Sequence, residues 1–160
     1  MNFCSFCRRI TWEREQGKGV MDNKKAYMLA GVIALADTAV KGLIKEPPVK
    51  NYGFAGNIMD RHPGAVALVS VILTGVTGFA VAALPDRMKL PAALILGGAL
   101  SNSADRLIRG YVVDYIPMNP VKGSDSSKRY YCNLSDLAIF AGAGIGIGLE
   151  LGQDVAENEG

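Results

Sequence analysis

Four long apolar stretches separated by short polar segments organise this chain. Gly64 to Leu84 is 21 residues without a charge, and Ala26 to Ile44 is apolar apart from Asp37 and Lys41. A third run opens at Leu90, stays uncharged to Ala104 and continues through Asp105-Arg106-Leu107-Ile108. The fourth extends from about Tyr130 to Leu151, with one carboxylate near each end. A membrane-spanning helix needs about 20 mostly apolar residues, because the hydrocarbon core offers no water to unpaired backbone groups. The pattern therefore predicts an all-α integral membrane protein with spanning helices over about 26–44, 64–84, 90–108 and 130–151. The connections agree. Pro47-Pro48 and Asn51 to Pro63 separate the first two runs, and Pro85 to Lys89 permits only a tight reversal, so the second and third helices are antiparallel neighbours. Pro117 to Arg129, containing Gly123-Ser-Asp-Ser-Ser-Lys, is a polar loop that belongs in water.

Composition adjusts this picture at its edges. The chain is 49% apolar with 19 glycines, which suits one compact unit and neither a disordered nor a disulfide-stapled chain. A polar head (residues 1–25) and an acidic tail (residues 152–160) flank the apolar unit of residues 26–151. Lys24-Lys25 precede the first run, whose Asp37 and Lys41 an excised signal-peptide core would not tolerate, so the run is a retained span. Met21 is a natural start just before it, which makes residues 1–20 a dispensable extension. A net charge of +2, with no basic cluster interleaved with aromatics, excludes nucleic acid as a partner. Cys4, Cys7 and Cys132 imply no disulfide framework, and Cys4-x-x-Cys7 lacks a second pair of zinc ligands, so no metal or other cofactor is expected.

Orientation rests on lysine and arginine near the helix ends. Arg8, Arg9, Arg14, Lys18, Lys24, Lys25, Arg87 and Lys89 lie on one side, balanced by Lys45, Lys50, Arg61, Arg106, Arg109, Lys122, Lys128 and Arg129 on the other. The first helix decides, and Lys24-Lys25 place the amino terminus in the cytoplasm. Both long loops then face outward, with the reversal and the acidic tail inside.

Ionisable groups within spans cost about 2.5–3.5 kcal/mol each on insertion scales, so each requires a reason. Asp37 and Lys41 stand four apart on one helical face, acid first, which favours an intrahelical pair in a supporting role. A denser group surrounds the outer ends of the third and fourth helices. Asn102 and Arg106 share a face, and Asp105 can pair with Arg109 one turn on. Gly110-Tyr-Val-Val-Asp114-Tyr-Ile reads as a short extended segment presenting Asp114 at the membrane surface. Asn133 can cap the fourth helix, with Asp136 in its first turn, where the helix dipole favours a carboxylate.

Taken singly, Asp136 is a capping acid and Asp114 a loop acid. Together at one apolar boundary they cannot both ionise cheaply, and such a pair suits peptide hydrolysis. One carboxylate takes a proton from water while the other, protonated, donates to the scissile carbonyl. Other chemistry fits less well. His62 precedes Pro63 at a helix start and reads as a surface residue. No cysteine or serine has a base beside it. Gly142-Ala-Gly-Ile-Gly-Ile-Gly148 lies inside an apolar helix, where Gly144 and Gly148 read as a close-packing stripe and not a nucleotide loop.

Three strings resemble the signature blocks of bacterial signal peptidase II, in order and at suitable separations. They are Gly97-Gly-Ala-Leu-Ser-Asn102-Ser-Ala-Asp105-Arg106, Gly110-Tyr-Val-Val-Asp114-Tyr and Asn133-Leu-Ser-Asp136-Leu-Ala-Ile139. Asp37-Thr-Ala-Val-Lys41 and Asn51-Tyr-Gly53-Phe-Ala55 are weaker matches, and the resemblance covers about residues 26–151. It implies a catalytic aspartate dyad at Asp114 and Asp136. It also implies a substrate groove lined by Asn51, Asn102, Arg106 and Asn133, with Arg106 near the cleaved bond, and structural support from Asp37, Lys41 and Asp105. The implied fold adds a small β-cradle at the outer membrane face, from segments 45–62 and 110–129, to the four helices. The implied substrate is a diacylglyceryl-modified prolipoprotein cut before its lipidated cysteine, by a monomeric, multi-pass enzyme among the lipids of the bacterial cytoplasmic membrane.

The chain departs from that pattern near Asp136. Ser101 stands for a usual glycine, Cys132 for phenylalanine, Ser135 for alanine and Leu137 for serine, and Gly56 follows Ala55 where phenylalanine is usual. None removes a carboxylate, but they alter the packing beside one. Two other classes compete: a divergent non-catalytic membrane protein that binds lipidated peptides, for which both aspartates would be replaceable, and an intramembrane aspartic protease of the presenilin or prepilin peptidase type. The latter places an aspartate in a Gly-x-Gly-Asp string that this chain lacks.

Overall fold

A computed structural model of the chain describes residues 21–45, 49–53, 60–118 and 130–158. Residues 1–20 with Cys4 and Cys7, the Pro47-Pro48 pair, the Phe54-Ala55-Gly56 string and most of the polar loop before Tyr130 lie outside the described residues. Helix α1 (Asn23–Leu43) starts where the Asp22 carboxylate accepts from Lys25 N at 2.8 Å, a side-chain cap on an otherwise orphaned donor. Strand β1 (Val49–Asn51) follows, then α2 (Pro63–Ala83), with proline at a first-turn position that needs no N–H. Only Leu84 and Pro85 separate α2 from α3 (Asp86–Arg109), the expected tight reversal. Helix α3 ends at Gly110, whose φ of 79° lies in the left-handed region that glycine enters without strain.

Beyond it come β2 (Val112–Asp114), β3 (Ile116–Met118), β4 (Tyr130–Cys132) and α4 (Leu134–Asn158). β1 and β2 pair antiparallel with Val49 opposite Asp114, and β3 and β4 pair antiparallel with Ile116 opposite Cys132. The two ribbons meet at Tyr115, whose N–H donates to Cys132 O at 3.0 Å. The sequence-based range for the fourth helix needs correction here. Tyr130 to Cys132 forms a strand, because its aromatic pair pleats against Ile116 to Met118, and the helix starts only after Asn133.

Helix α3 is the centre of the molecule, and α1, α2 and α4 pack around it. Along α3 the side buried against α1 and α4 is mostly small: Ala92, Ala93, Gly97, Gly98 and Ser101 are all buried. A Cβ on Gly98 would collide with the Ser135 carbonyl, and one on Gly142 would lie 2.6 Å from Pro91 O, so α3 and α4 touch backbone to backbone. On α4 the glycine that achieves this is Gly142. Buried Gly146 faces the same helix, with only the Met88 and Pro91 side chains in ordinary contact range of an added Cβ, and the stripe is not Gly144 and Gly148 as expected. Those two face outward with nothing within 4 Å of an added Cβ. Helix α2 is attached more lightly, through Tyr27 OH to Gly78 O at 2.8 Å and the Thr74 hydroxyl 2.8 Å from that of Ser103.

The outer surfaces are strongly apolar: Leu43 is 83% exposed, Phe79 78% and Leu35 72%. Residues 23–43, 63–83 and 134–153 are three helical stretches long and apolar enough to cross a membrane by length and composition. Helix α3 does not meet that measure, since it carries Asp86, Arg87 and Lys89 at one end and Asp105, Arg106 and Arg109 at the other.

Candidate active site

Buried charge concentrates where α1, α3 and α4 meet below the two ribbons. The Lys41 ammonium, fully buried, lies 2.7 Å from Asp37 and 3.0 Å from Asp105, and it donates to Asn102 Oδ1 at 2.8 Å. The expected Asp37–Lys41 pair is therefore one edge of a larger cluster. Asp105 joins it while also meeting Arg109 Nε at 3.4 Å, the contact its spacing suggested, and accepting from Val113 N at 3.3 Å. Burying one ammonium between two carboxylates is tolerable only because hydroxyl and amide donors take up the remaining lone pairs. Asp37 accepts from Ser101 at 2.7 Å, from Ser135, and from Tyr115 OH at 2.8 Å.

Above this cluster stand the two aspartates named from the sequence, joined through one residue. Asn133 caps α4: its Oδ1 accepts from Asp136 N at 2.9 Å, and its own N–H donates back to Asp136 Oδ2 at 3.2 Å, a reciprocal capping box. With the amide oxygen so engaged, its NH2 turns to Asp114 Oδ1 at 2.8 Å. The same device recurs twice. Asn51 Oδ1 accepts from Gly53 N at 3.0 Å, which directs its NH2 to Asp114 Oδ2 at 3.1 Å. Lys41 holds Asn102 Oδ1, which directs that NH2 to Asp136 Oδ1 at 2.9 Å. Each carboxylate thus receives two donors from groups that are themselves fixed.

Asp114 is 3% exposed, and burial together with the neighbouring Asp136 charge pushes its carboxyl up to about 6, against the pull of Asn51 and Asn133. Cys132, also buried, has its thiol pushed up by burial and by the two carboxylates, which makes it a poor nucleophile. Between α2, α3 and α4 lies a cavity of about 390 Å³. Asp136, Asn102 and Arg106 line it, and Leu73, Ile95, Ile139 and Phe140 supply apolar wall. Arg106 also donates to Gly53 O at 2.7 Å, which brackets the loop after β1 against the mouth of α3.

The sequence-based site residues converge in the fold. Asp114, Asp136, Asn51, Asn102 and Asn133 make one hydrogen-bonded group, Arg106 borders the cavity beside it, and Asp37, Lys41 and Asp105 lie in the cluster beneath. Missed from the sequence were the hydroxyls of Ser101, Ser135 and Tyr115, which all reach Asp37. Ser101 and Ser135 stood out only as departures from a familiar pattern. His62 is exposed at the start of α2, without a side-chain capping bond.

Similarity to known proteins follows the same lines. The chain is 32% identical over 107 residues to the lipoprotein signal peptidase of Haemophilus ducreyi, covering 60% of this chain and 62% of that one. It is 35% identical over 99 residues to that of Moorella thermoacetica, covering 59% and 57%. The matches therefore span about three-fifths of these curated relatives. Two solved structures of a bacterial membrane enzyme, obtained by the in meso method, share the fold at 20% identity. Their TM-scores are 0.66 and 0.63, covering 82% and 79% of this chain and 90% and 92% of theirs. The model of the signal peptidase II family matches residues 20–150, and the chain belongs to that family.

Proposed function

We propose that the chain is an aspartic endopeptidase that removes signal peptides from diacylglyceryl-modified prolipoproteins, cleaving before the lipidated cysteine, with Asp114 and Asp136 as the catalytic pair. The observation that carries this is the joint anchoring of both carboxylates, buried Asp114 and half-buried Asp136, on the buried Asn133. Burial and the neighbouring Asp136 charge favour the protonated form of Asp114, which suits it to the role of the acid. Asp136, at the positive end of α4 with two donors on its oxygens, is the base. Asp136 takes a proton from a water between the acids as that water attacks the scissile carbonyl, and Asp114 protonates the carbonyl oxygen. As the tetrahedral species collapses, the C–N bond breaks, Asp136 gives its proton to the leaving amine, and Asp114 takes back a proton from one of the two hydroxyls. The cavity suits the substrate: its walls are apolar, and its polar end is formed by Asn102, Arg106 and Asp136.

The enzyme works as a monomer with four spans. Helix α3 is the fourth: at 24 residues it is about 36 Å long, its charges lie towards its two ends, and Lys89 and Asp105 among them are buried against its neighbours. Residues 26–151 make the membrane unit, between an amino-terminal tail and an acidic tail in the cytoplasm. The ribbons and both aspartates then sit at the outer face of the bacterial cytoplasmic membrane. Reporter fusions after residues 88 and 124 test this; an outward-facing residue 88 sinks the topology.

Activity is tested by incubating the purified protein with a synthetic diacylglyceryl prolipoprotein and weighing the products. The expected peptide ends at the residue before the lipidated cysteine, and the unlipidated substrate stays intact. Cleavage elsewhere, or equal cleavage without lipid, contradicts the proposal.

A further inference from the structure

Tyr115 is the single residue between β2 and β3, directly after Asp114. Its hydroxyl does two things at once: it donates to Asp37 Oδ1 at 2.8 Å and accepts from Leu134 N at 3.2 Å. Leu134 opens α4, and its N–H is one of the helix-start donors that the Asn133 cap does not reach, since that cap serves Asp136 N. The Tyr115 backbone is fixed independently by its bond to Cys132 O. One side chain therefore connects the strand that carries Asp114, the first turn that carries Asp136, and the buried cluster below both.

We infer that the Tyr115 hydroxyl is a positioning group for the aspartate pair, setting the separation between Asp114 and Asp136 by tying both of their elements to Asp37. The inference rests on the proposed roles of those two acids. Asp37 does not depend on Tyr115 for neutralisation, because Lys41, Ser101 and Ser135 all serve its other oxygen. The phenol is well suited to the task. Burial and the hydrogen bond to Asp37 push it up to about 12, so it stays a donor at any working pH. Two carboxylates that share a proton are sensitive to their spacing, and a misplacement of about 1 Å costs on the order of 100-fold in rate. The charged groups that act on Asp114 are Asp136 from α4, Lys41 from α1 and Arg106 from α3, while the Cys132 thiol on β4, itself pushed up by the two carboxylates, is neutral. None of them is altered by removing the Tyr115 hydroxyl.

The test compares the full chain in detergent with Tyr115→Phe, which keeps the ring, and with Ser101→Ala, which takes a donor from Asp37 without touching β2 or α4. Two quantities are followed: kcat and KM for prolipoprotein cleavage across pH, and the Asp114 titration midpoint from carboxyl-labelled NMR. Tyr115→Phe is expected to lower kcat about tenfold with KM within about twofold. Its pH profile should be displaced and the Asp114 midpoint should fall, because acids free to separate repel each other less. Ser101→Ala is expected to lower thermal stability while keeping the wild-type shape of the pH profile. A wild-type kcat and profile in Tyr115→Phe overturns the inference, as does the same displaced profile in Ser101→Ala. Should the unaltered chain itself fail to cleave, the activity proposal falls. The Asp114 midpoint then decides alone: a fall in Tyr115→Phe supports positioning, and an unmoved midpoint overturns it.

Discussion

The interface of α1, α3 and α4 and the interface of α2 with α3 use opposite physics. The first is built from small residues that let backbones touch, with a buried cluster of one lysine, two aspartates and several hydroxyls inside the gap. The second is built from ordinary apolar side chains and the Thr74 hydroxyl, which reaches Ser103 and the Ala99 carbonyl, and α2 buries only Val66, Ser70 and Val81. In lipid, apolar side chains gain little by leaving the solvent for one another, so close packing and hydrogen bonds must hold helices together. The tightly bonded trio holds the aspartates in fixed geometry, while α2 forms a wall of the cavity and leaves room for a substrate.

The contrast breaks most visibly at Lys41. Lys41→Met leaves Asp37 buried without a cation and Asp105 with Arg109 alone, and removing one partner of such a cluster costs about 3–5 kcal/mol. The variant should fail to accumulate in membranes, as measured by quantitative immunoblotting, whereas Leu73→Met on α2 should accumulate normally. Next in size is the glycine contact. Gly142→Ala or Gly98→Ala must force α3 and α4 apart and should cost about 1–3 kcal/mol in thermal unfolding in detergent. Gly144→Ala and Gly148→Ala, facing outward, should be neutral or up to about 1 kcal/mol stabilising, since alanine is the better helix former.

A smaller and opposite effect belongs to Asp114. Its carboxyl sits at about 6 in the folded chain against an ordinary 3.8, so the fold holds that proton more tightly than the unfolded chain does. The corresponding stability is fully present below about pH 3.8 and is lost as pH rises through about 6. Asp114→Asn abolishes this penalty, worth about 3 kcal/mol for a shift of roughly two units. It gives back about 1 kcal/mol, because an amide cannot accept from both Asn51 and Asn133. The variant should be about 2 kcal/mol more stable than the parent at pH 8, with the gap closing by pH 4, read from thermal midpoints at both values.

Much of this organisation was legible in the sequence because charges in apolar stretches are costly and so carry information. Asp37, Lys41, Asp105, Asp114 and Asp136 stood out for that reason, and Asn133 showed as the cap that starts α4. What stayed hidden had no such cost. Serine and tyrosine hydroxyls are common in helices and loops, and only the meeting of three elements shows that Ser101, Ser135 and Tyr115 share Asp37. The glycine run disclosed its four-residue period but not its phase, which depends on where α3 lies. Tyr130 to Cys132 was absorbed into the helix because its apolar character continues into α4, and its strand pairing with Ile116 to Met118 is a long-range contact.

The central claim is that Asp114 and Asp136 act as one unit. Measuring kcat for Asp114→Asn, Asp136→Asn and the double variant on the same lipidated substrate tests it most directly. Each single change is expected to cost about 1,000-fold or more, and the double variant no more than the worse single one. Losses that multiply, or either single variant keeping more than about a tenth of the parent rate, would contradict a shared-proton pair.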